Sequence, residues 1–213
     1  MPGWRKIPAS EDAGYNTVKI ILASSSPRRA EILRAARIAF EIRITDIDEI
    51  ELPGETAHAM VARLAEEKAR GAAAQIAEGS RDCIVVGADT TVEMEGEIFG
   101  KPRDSAHARG MLAKLSGRTH HVHTGIFLLR LPGYATRAAV DNSAVTFAPL
   151  SEKEIDAYVA SGEPLGKAGA YAIQGLAGRF IPRIDGCYFN VVGLPLARLY
   201  VLLVELGWQS EKK

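Results

Sequence analysis

Two adjacent arginines at the start of a predicted helix raise the first chemical question in this sequence. In "ILASSSPRRAEILRAA", residues 21–36, a short apolar run ends in three serines and Pro27, and Arg28 and Arg29 follow. Ser26 suits the N-cap and Pro27 the first helical position, which places both cations in the first turn. The free N–H groups there already carry partial positive charge, so each arginine costs about 0.3–1 kcal/mol until an anion arrives. A phosphate reverses that cost, because helix N–H groups, serine hydroxyls and guanidinium forks all donate to its oxygens. The plain alternative is a solvated basic turn. The serine-rich approach and the lack of any overall basic charge favour the anion site.

Four further groups carry chemistry-bearing side chains. In "GADTTV", Asp89 follows the apolar run "IVVGA", so its carboxylate is expected at a strand's C-terminal end, where ligand crevices of α/β sheets open. There it could hold a divalent ion or take a proton from water; an Asp in this position also serves as an N-cap or turn residue. "FGKPRD" sets Lys101 between Gly100 and Pro102. "DIDEIEL" puts four carboxylates, Glu49 among them, after a strand. Such a run is ordinarily a solvated loop, yet beside a bound polyphosphate it is also what Mg²⁺ needs. In "GEPLGKAGAYAIQGLAG", glycines allow close backbone approach, Glu163 and Lys167 bring charge, and the Gln174 amide can both donate to and accept from a base edge. The "HHVH" at 120–123 reads as a surface or packed strand, with His121 and His123 on one face and His120 on the other, and not as a metal site.

The elements that must position these groups alternate. "VKIILA" (18–23) predicts a strand, followed by the helix that Pro27 opens; "FEIRIT" (40–45) predicts a second strand, and residues 56–78 a long Ala-rich helix. "CIVVGADTTV" (83–92) is a buried-type strand, and "EMEGEIFG" a hairpin turned at Glu95-Gly96. A helix over 104–115 ends at Ser116-Gly117, and two long antiparallel strands flank Pro132-Gly133. Ser151 and Glu154 form a capping box for the next helix, 162–193 is a glycine-rich segment, and "LPLARLYVLLVELGW" closes the chain as an apolar helix. Neither a repeat nor a separating linker interrupts this order, which predicts one α/β domain with a mixed sheet.

Composition narrows the function classes. The 213 residues are 47% hydrophobic and 24% charged, within globular norms, and 26 basic residues balance 26 acidic ones. That neutrality gives no general field for nucleic acid or an anionic membrane, so any anion site is local. "MPGWRKIPASEDAGYN" has no apolar targeting core and no run approaches the roughly 20 apolar residues of a membrane span, which predicts a cytoplasmic protein. Cys83 and Cys187 stand apart from any C-x-x-C pair and read as reduced.

Taken together, "LASSSPRRAEIL", "ADTTV", "GKPRD", "MLAKLSGRTHHVHTG", "YVASGEPLGKAGAYAIQG" and "VVGLPL" resemble, in order and over about residues 19–207, the signature blocks of the Maf family of nucleoside triphosphate pyrophosphatases. The resemblance implies an ITPase-like α/β fold, a mixed twisted sheet flanked by helices with a deep cleft between two lobes. Residues 1–17 would be a flexible extension, 18–208 the pyrophosphatase domain and 209–213 a tail. It implies hydrolysis at the α–β phosphate linkage to a nucleoside monophosphate and diphosphate, with Mg²⁺ or Mn²⁺, and a house-cleaning role linked to cell division. Family residues carried over are Ser24, Arg28, Arg29, Glu49, Lys68, Lys101 and Gln174, with Asp89 as general base; specificity positions fall at Arg28, Thr90 and Gln174. The metal would be held by Glu49, with Asp89 as a second ligand only where it does not serve as the base. "KAGAYAIQG" resembles the subgroup acting on dTTP and UTP, and Gln174 suits a pyrimidine's carbonyl and imide N–H. Where the family often has Asp before the loop lysine, this chain has Gly166; if that Asp orients Lys167 or a metal-bound water, the change implies either weaker activity or substitution by Glu163 of the same loop. The resemblance and the apolar last helix together imply a homodimer. The competing class is a nucleotide-binding regulator of septum formation with little catalysis.

Overall fold

The computed structural model describes residues 18–76 and 82–209. Seven strands form one mixed sheet in the order β2-β1-β3-β5-β6-β7, with β4 on the margin of β3. β1 (Lys19–Ala23) runs parallel to β2 (Glu41–Ile42) and to β3 (Cys83–Met94). β4 (Glu97–Phe99), β5 (Thr119–Leu131), β6 (Thr136–Thr146) and β7 (Arg183–Asp185) continue it antiparallel.

Apolar residues on both faces of β1 and β3 explain why these strands read as continuous hydrophobic runs. On one face Ile20, Leu22, Ile84 and Val86 pack with Ile126 and Leu128 of β5 beneath α1 (Pro27–Ala35) and α6 (Leu196–Glu205). On the other, Ile21, Val85, Phe127 and Leu129 meet Ala65, Ala69 and Ala72 of α2 (Ala57–Ala74). Farther along β3 and β5, Val92 and Val122 enter a separate core with Leu112 and Leu115 of α3 (Ser105–Leu115) and Tyr158 of α4 (Glu152–Ala160). Each fully buried Leu, Ile or Val contributes roughly 1.5–3 kcal/mol. The long strands thus bridge two lobes, as expected of the fold class.

Two glycines let α2 lie close to the sheet. A Cβ at Gly87 of β3 would stand 2.0 Å from the Ala65 carbonyl oxygen, and one at Gly125 of β5 2.3 Å from that of Val61. Asp89 pairs with Gly125 across the two strands, so the space these glycines open adjoins the Asp89 carboxylate.

Several boundaries differ from those expected. The strand predicted over 40–45 contracts to Glu41–Ile42, both exposed, because only one side of that short edge pairs and no layer covers Ile42 or Ile44. The long helix ends at Ala74 with Gln75 as its C-cap, and the predicted stretch beyond Ile76 lies outside the described residues. The glycine-rich segment contains β7 and a short helix, α5 (Tyr188–Val192). The capping box of Ser151 and Glu154 forms as predicted. No helix among the described residues is long and apolar enough to cross a membrane. The predicted extension, residues 1–17, lies outside the described residues, as does the tail from residue 210.

Candidate active site

A cleft of about 640 Å³ opens where the sheet changes partner. β1 pairs with β3 only as far as Ala23 opposite Gly87, and β4 joins the same margin from Val92. Among the described residues no strand occupies that side of residues 88–91. Asp89 lies in this gap, so it is mid-strand and not at the end of β3 as its sequence position suggested. The strand whose C-terminal end opens the crevice is β1, and the three serines follow it directly.

An alternating chain of charges crosses the cleft. Lys101 Nζ lies 2.6 Å from Glu49 Oε2, Glu49 Oε1 lies 2.6 Å from Lys68 Nζ, and Lys68 Nζ lies 2.5 Å from Asp89 Oδ1. Four separate parts of the sequence meet here: the acidic loop, α2, β3 and the turn after β4. Lys68 falls four residues after buried Leu64 on the sheet-facing side of α2, and a lysine so placed requires carboxylate partners. Burial raises the Glu49 pKa, but hydrogen bonds from Lys101 and Lys68 outweigh it and bring the carboxyl down to about 2. Glu49 is therefore ionised at neutral pH.

No trio of His, Cys, Asp or Glu side chains is arranged as a ready metal site among the described residues. Glu49 and Asp89 nevertheless converge on one ammonium, which puts two hard oxygen donors at one point of the cleft. One or two carboxylates completed by substrate phosphate oxygens is the donor set that Mg²⁺ takes, so these residues fit a divalent cation.

The neighbouring arginines do different jobs. Arg29 is buried: its Nε donates to the Gly193 carbonyl at 2.8 Å, Nη1 to Ser24 Oγ at 2.9 Å and Nη2 to Thr90 Oγ1 at 3.0 Å. Burial lowers its pKa, opposed by Asp89 and Glu49. Thr90 Oγ1 also lies 2.9 Å from Thr124 Oγ1, which donates to the Asn190 carbonyl at 2.9 Å. Arg29 thus joins the serine turn after β1, β3 and the loop after α5 into one network. Arg28 lines the cleft half-buried, with no side-chain hydrogen bond or ion pair among the described residues, and burial lowers its pKa. At the helix entrance Ser26 takes the N-cap position without a side-chain bond; its N–H donates to Ser24 Oγ instead.

From the second lobe, Lys167 and Gln174 face the same cleft. Burial and the charge of Arg28 both lower the Lys167 pKa. Glu163 stands behind the loop and not in the cleft lining, with its carboxylate held by the Tyr158 hydroxyl and the Leu176 N–H. The structure therefore brings together Ser24, Arg28, Arg29, Glu49, Lys68, Asp89, Thr90, Lys101, Lys167 and Gln174, and leaves Glu163 as a strut.

A sequence model described as Maf-like protein matches residues 19–206. The chain belongs to the Maf family. A relative in Anaeromyxobacter sp. (strain Fw109-5), named dTTP/UTP pyrophosphatase, is 49% identical over 192 residues, covering 89% of this chain and 90% of its own length. A relative in Escherichia coli O157:H7 with the same name is 48% identical over 194 residues, covering 91% of this chain and 96% of that one. Among solved structures, the Ham1 protein of Staphylococcus aureus overlaps 61% of this chain and 72% of its own at 17% identity and a TM-score of 0.39.

In this Maf chain the histidine run is a packed strand. His120 is fully buried, its Nε2 2.7 Å from the Tyr171 hydroxyl and its ring edge-on to Phe147. His121 and His123 share the opposite face. Both cysteines are free thiols. Sequence reading missed Tyr158, Thr124 and Asn190. Tyr158 falls inside a motif block as an ordinary helix residue, and the other two act only through partners more than 30 residues away.

Proposed function

We propose that this Maf chain is a nucleoside triphosphate pyrophosphatase that hydrolyses dTTP and UTP to the monophosphate and diphosphate. The observation that carries this reading is the Lys101–Glu49–Lys68–Asp89 chain, set in a cleft beside the N-terminus of α1. The names of the relatives, at 45–49% identity over about 90% of the chain, supply the nucleotide class.

Arg28 and the N–H groups opening α1 bind the triphosphate, and Lys68 and Lys101 turn from Glu49 to its oxygens as charge accumulates. Asp89 takes a proton from water while the water oxygen bonds to the α-phosphorus; the bond from that phosphorus to the bridging oxygen breaks, and diphosphate leaves. Glu49 would hold Mg²⁺ or Mn²⁺ together with the phosphate oxygens, where the cation would supply charge neutralisation, and Asp89 is left to act as the base. Gln174 reads the pyrimidine edge.

Measuring diphosphate released from a panel of dTTP, UTP, dATP and dGTP with Mg²⁺ tests the reading. Release from dTTP and UTP ahead of both purines supports it, and binding of nucleotide without release from any of them would overturn it.

A further inference from the structure

The loop carrying Gln174 is fastened on both sides of that residue by a buried phenol and a carboxylate. Tyr158, fully buried in α4, donates its hydroxyl to Glu163 Oε1 at 2.9 Å and accepts the Ala172 N–H at 3.3 Å. Glu163 Oε2 accepts the Leu176 N–H at 3.0 Å, and Oε1 faces the Ala177 N–H at 3.5 Å. Gly175 makes the fit possible, since a Cβ there would stand 2.3 Å from Glu163 Oε1. Ala172 is thereby pinned two residues before Gln174 and Leu176 two residues after it. The Gln174 side chain itself is exposed at the cleft and makes no hydrogen bond among the described residues.

From this geometry we infer that Tyr158 and Glu163 are positioning residues for base selection, setting the reach of the Gln174 amide toward the nucleotide base; the inference rests on the pyrimidine reading above. An amide discriminates between base edges only while its donor and acceptor stay aligned, because hydrogen bonds weaken steeply with angle. The ionised Glu163 side chain holds two adjacent N–H groups by charge-assisted bonds, which are roughly twice as strong as neutral ones. Tyr158 closes the arrangement by tying that carboxylate to the other side of the loop.

The test compares Tyr158→Phe and Glu163→Gln with the wild type, using steady-state kinetics on dTTP, UTP, dATP and dGTP and hydrogen–deuterium exchange. Tyr158→Phe removes one donor and one acceptor. It raises KM for dTTP and UTP about fivefold or more, keeps kcat within about twofold, and lowers the pyrimidine-to-purine ratio of kcat/KM by a similar factor. Glu163→Gln keeps an acceptor and shifts KM and the ratio in the same direction by less. In both variants the Ala172, Leu176 and Ala177 amides exchange faster. An unchanged KM and an unchanged pyrimidine-to-purine ratio overturn the inference. Should Tyr158→Phe fail to fold, Glu163→Gln decides by the same criteria. Absence of hydrolysis by the wild type would overturn the proposed function and not the fastening; exchange then decides alone, and unaltered protection of the three amides overturns the role.

Discussion

Lys68 Nζ, on α2, lies 2.5 Å from Asp89 Oδ1, in the middle of β3. The contact depends on how closely the helix sits on the sheet, and Gly87 together with Gly125, the latter paired with Asp89 in the neighbouring strand, sets that distance. Gly125→Ala must push the α2 backbone away, since its new Cβ would lie 2.3 Å from the Val61 carbonyl oxygen. Overpacking of this kind costs about 3 kcal/mol, and a displacement near 1 Å at the reacting groups costs about a hundredfold in turnover. Urea unfolding and diphosphate release from dTTP check both effects. Wild-type stability with wild-type turnover would mean that α2 has slack the packing does not show.

The two arginines separate by experiment. Arg29→Ala removes three hydrogen bonds, two of them buried, that join Ser24, Thr90 and Gly193, and is expected to lower stability by about 3 kcal/mol or more, with activity falling alongside. Arg28→Ala breaks no bond among the described residues and is expected to leave the melting temperature within about 2 °C. It raises KM for the triphosphate about tenfold, the loss of one charge-assisted phosphate contact. Thermal melts and Michaelis–Menten kinetics on both variants check the pair, and a reversed pattern would exchange their roles.

His120 makes folding pH-dependent in a defined window. Burial, with a smaller contribution from His121, lowers its pKa from 6.5 to about 4, so the folded protein keeps the ring neutral where the unfolded chain protonates it. The unfolded state thus binds the extra proton between pH 6.5 and about 4, and stability falls as pH is lowered through that range. The full effect is about 3 kcal/mol, complete below pH 4, where both states are protonated. His120→Gln is expected to flatten this segment of the stability-against-pH curve measured by denaturant titration. An unchanged slope in the variant would show that another group takes up the proton.

Strands and helices were legible where one local pattern decides the element, as in "CIVVGA" and in the capping box of Ser151 and Glu154. The gap beside Asp89 was not, because it depends on where β1 stops and β4 begins, two boundaries set by pairing and not by local sequence. Adjacent residues on a helix point about 100° apart, so Arg28 and Arg29 had to face differently. Which one faced the interior depended on how α1 rests on the sheet. Lys68 reads in isolation as a solvated lysine of an Ala-rich helix; only the family resemblance singled it out, and its two carboxylate partners lie 19 and 21 residues away on either side. Glu163 showed its charge in the sequence but not its direction, which Tyr158 and the Leu176 N–H determine.

The most direct test of hydrolysis through Asp89 is diphosphate release from dTTP with Mg²⁺, wild type against Asp89→Asn, with nucleotide binding measured in parallel. The expected result is one diphosphate and one monophosphate per triphosphate for the wild type. Asp89→Asn is expected to retain binding and lose about 10²–10⁴-fold in kcat. Turnover by Asp89→Asn close to that of the wild type would contradict the assignment of Asp89 as the base.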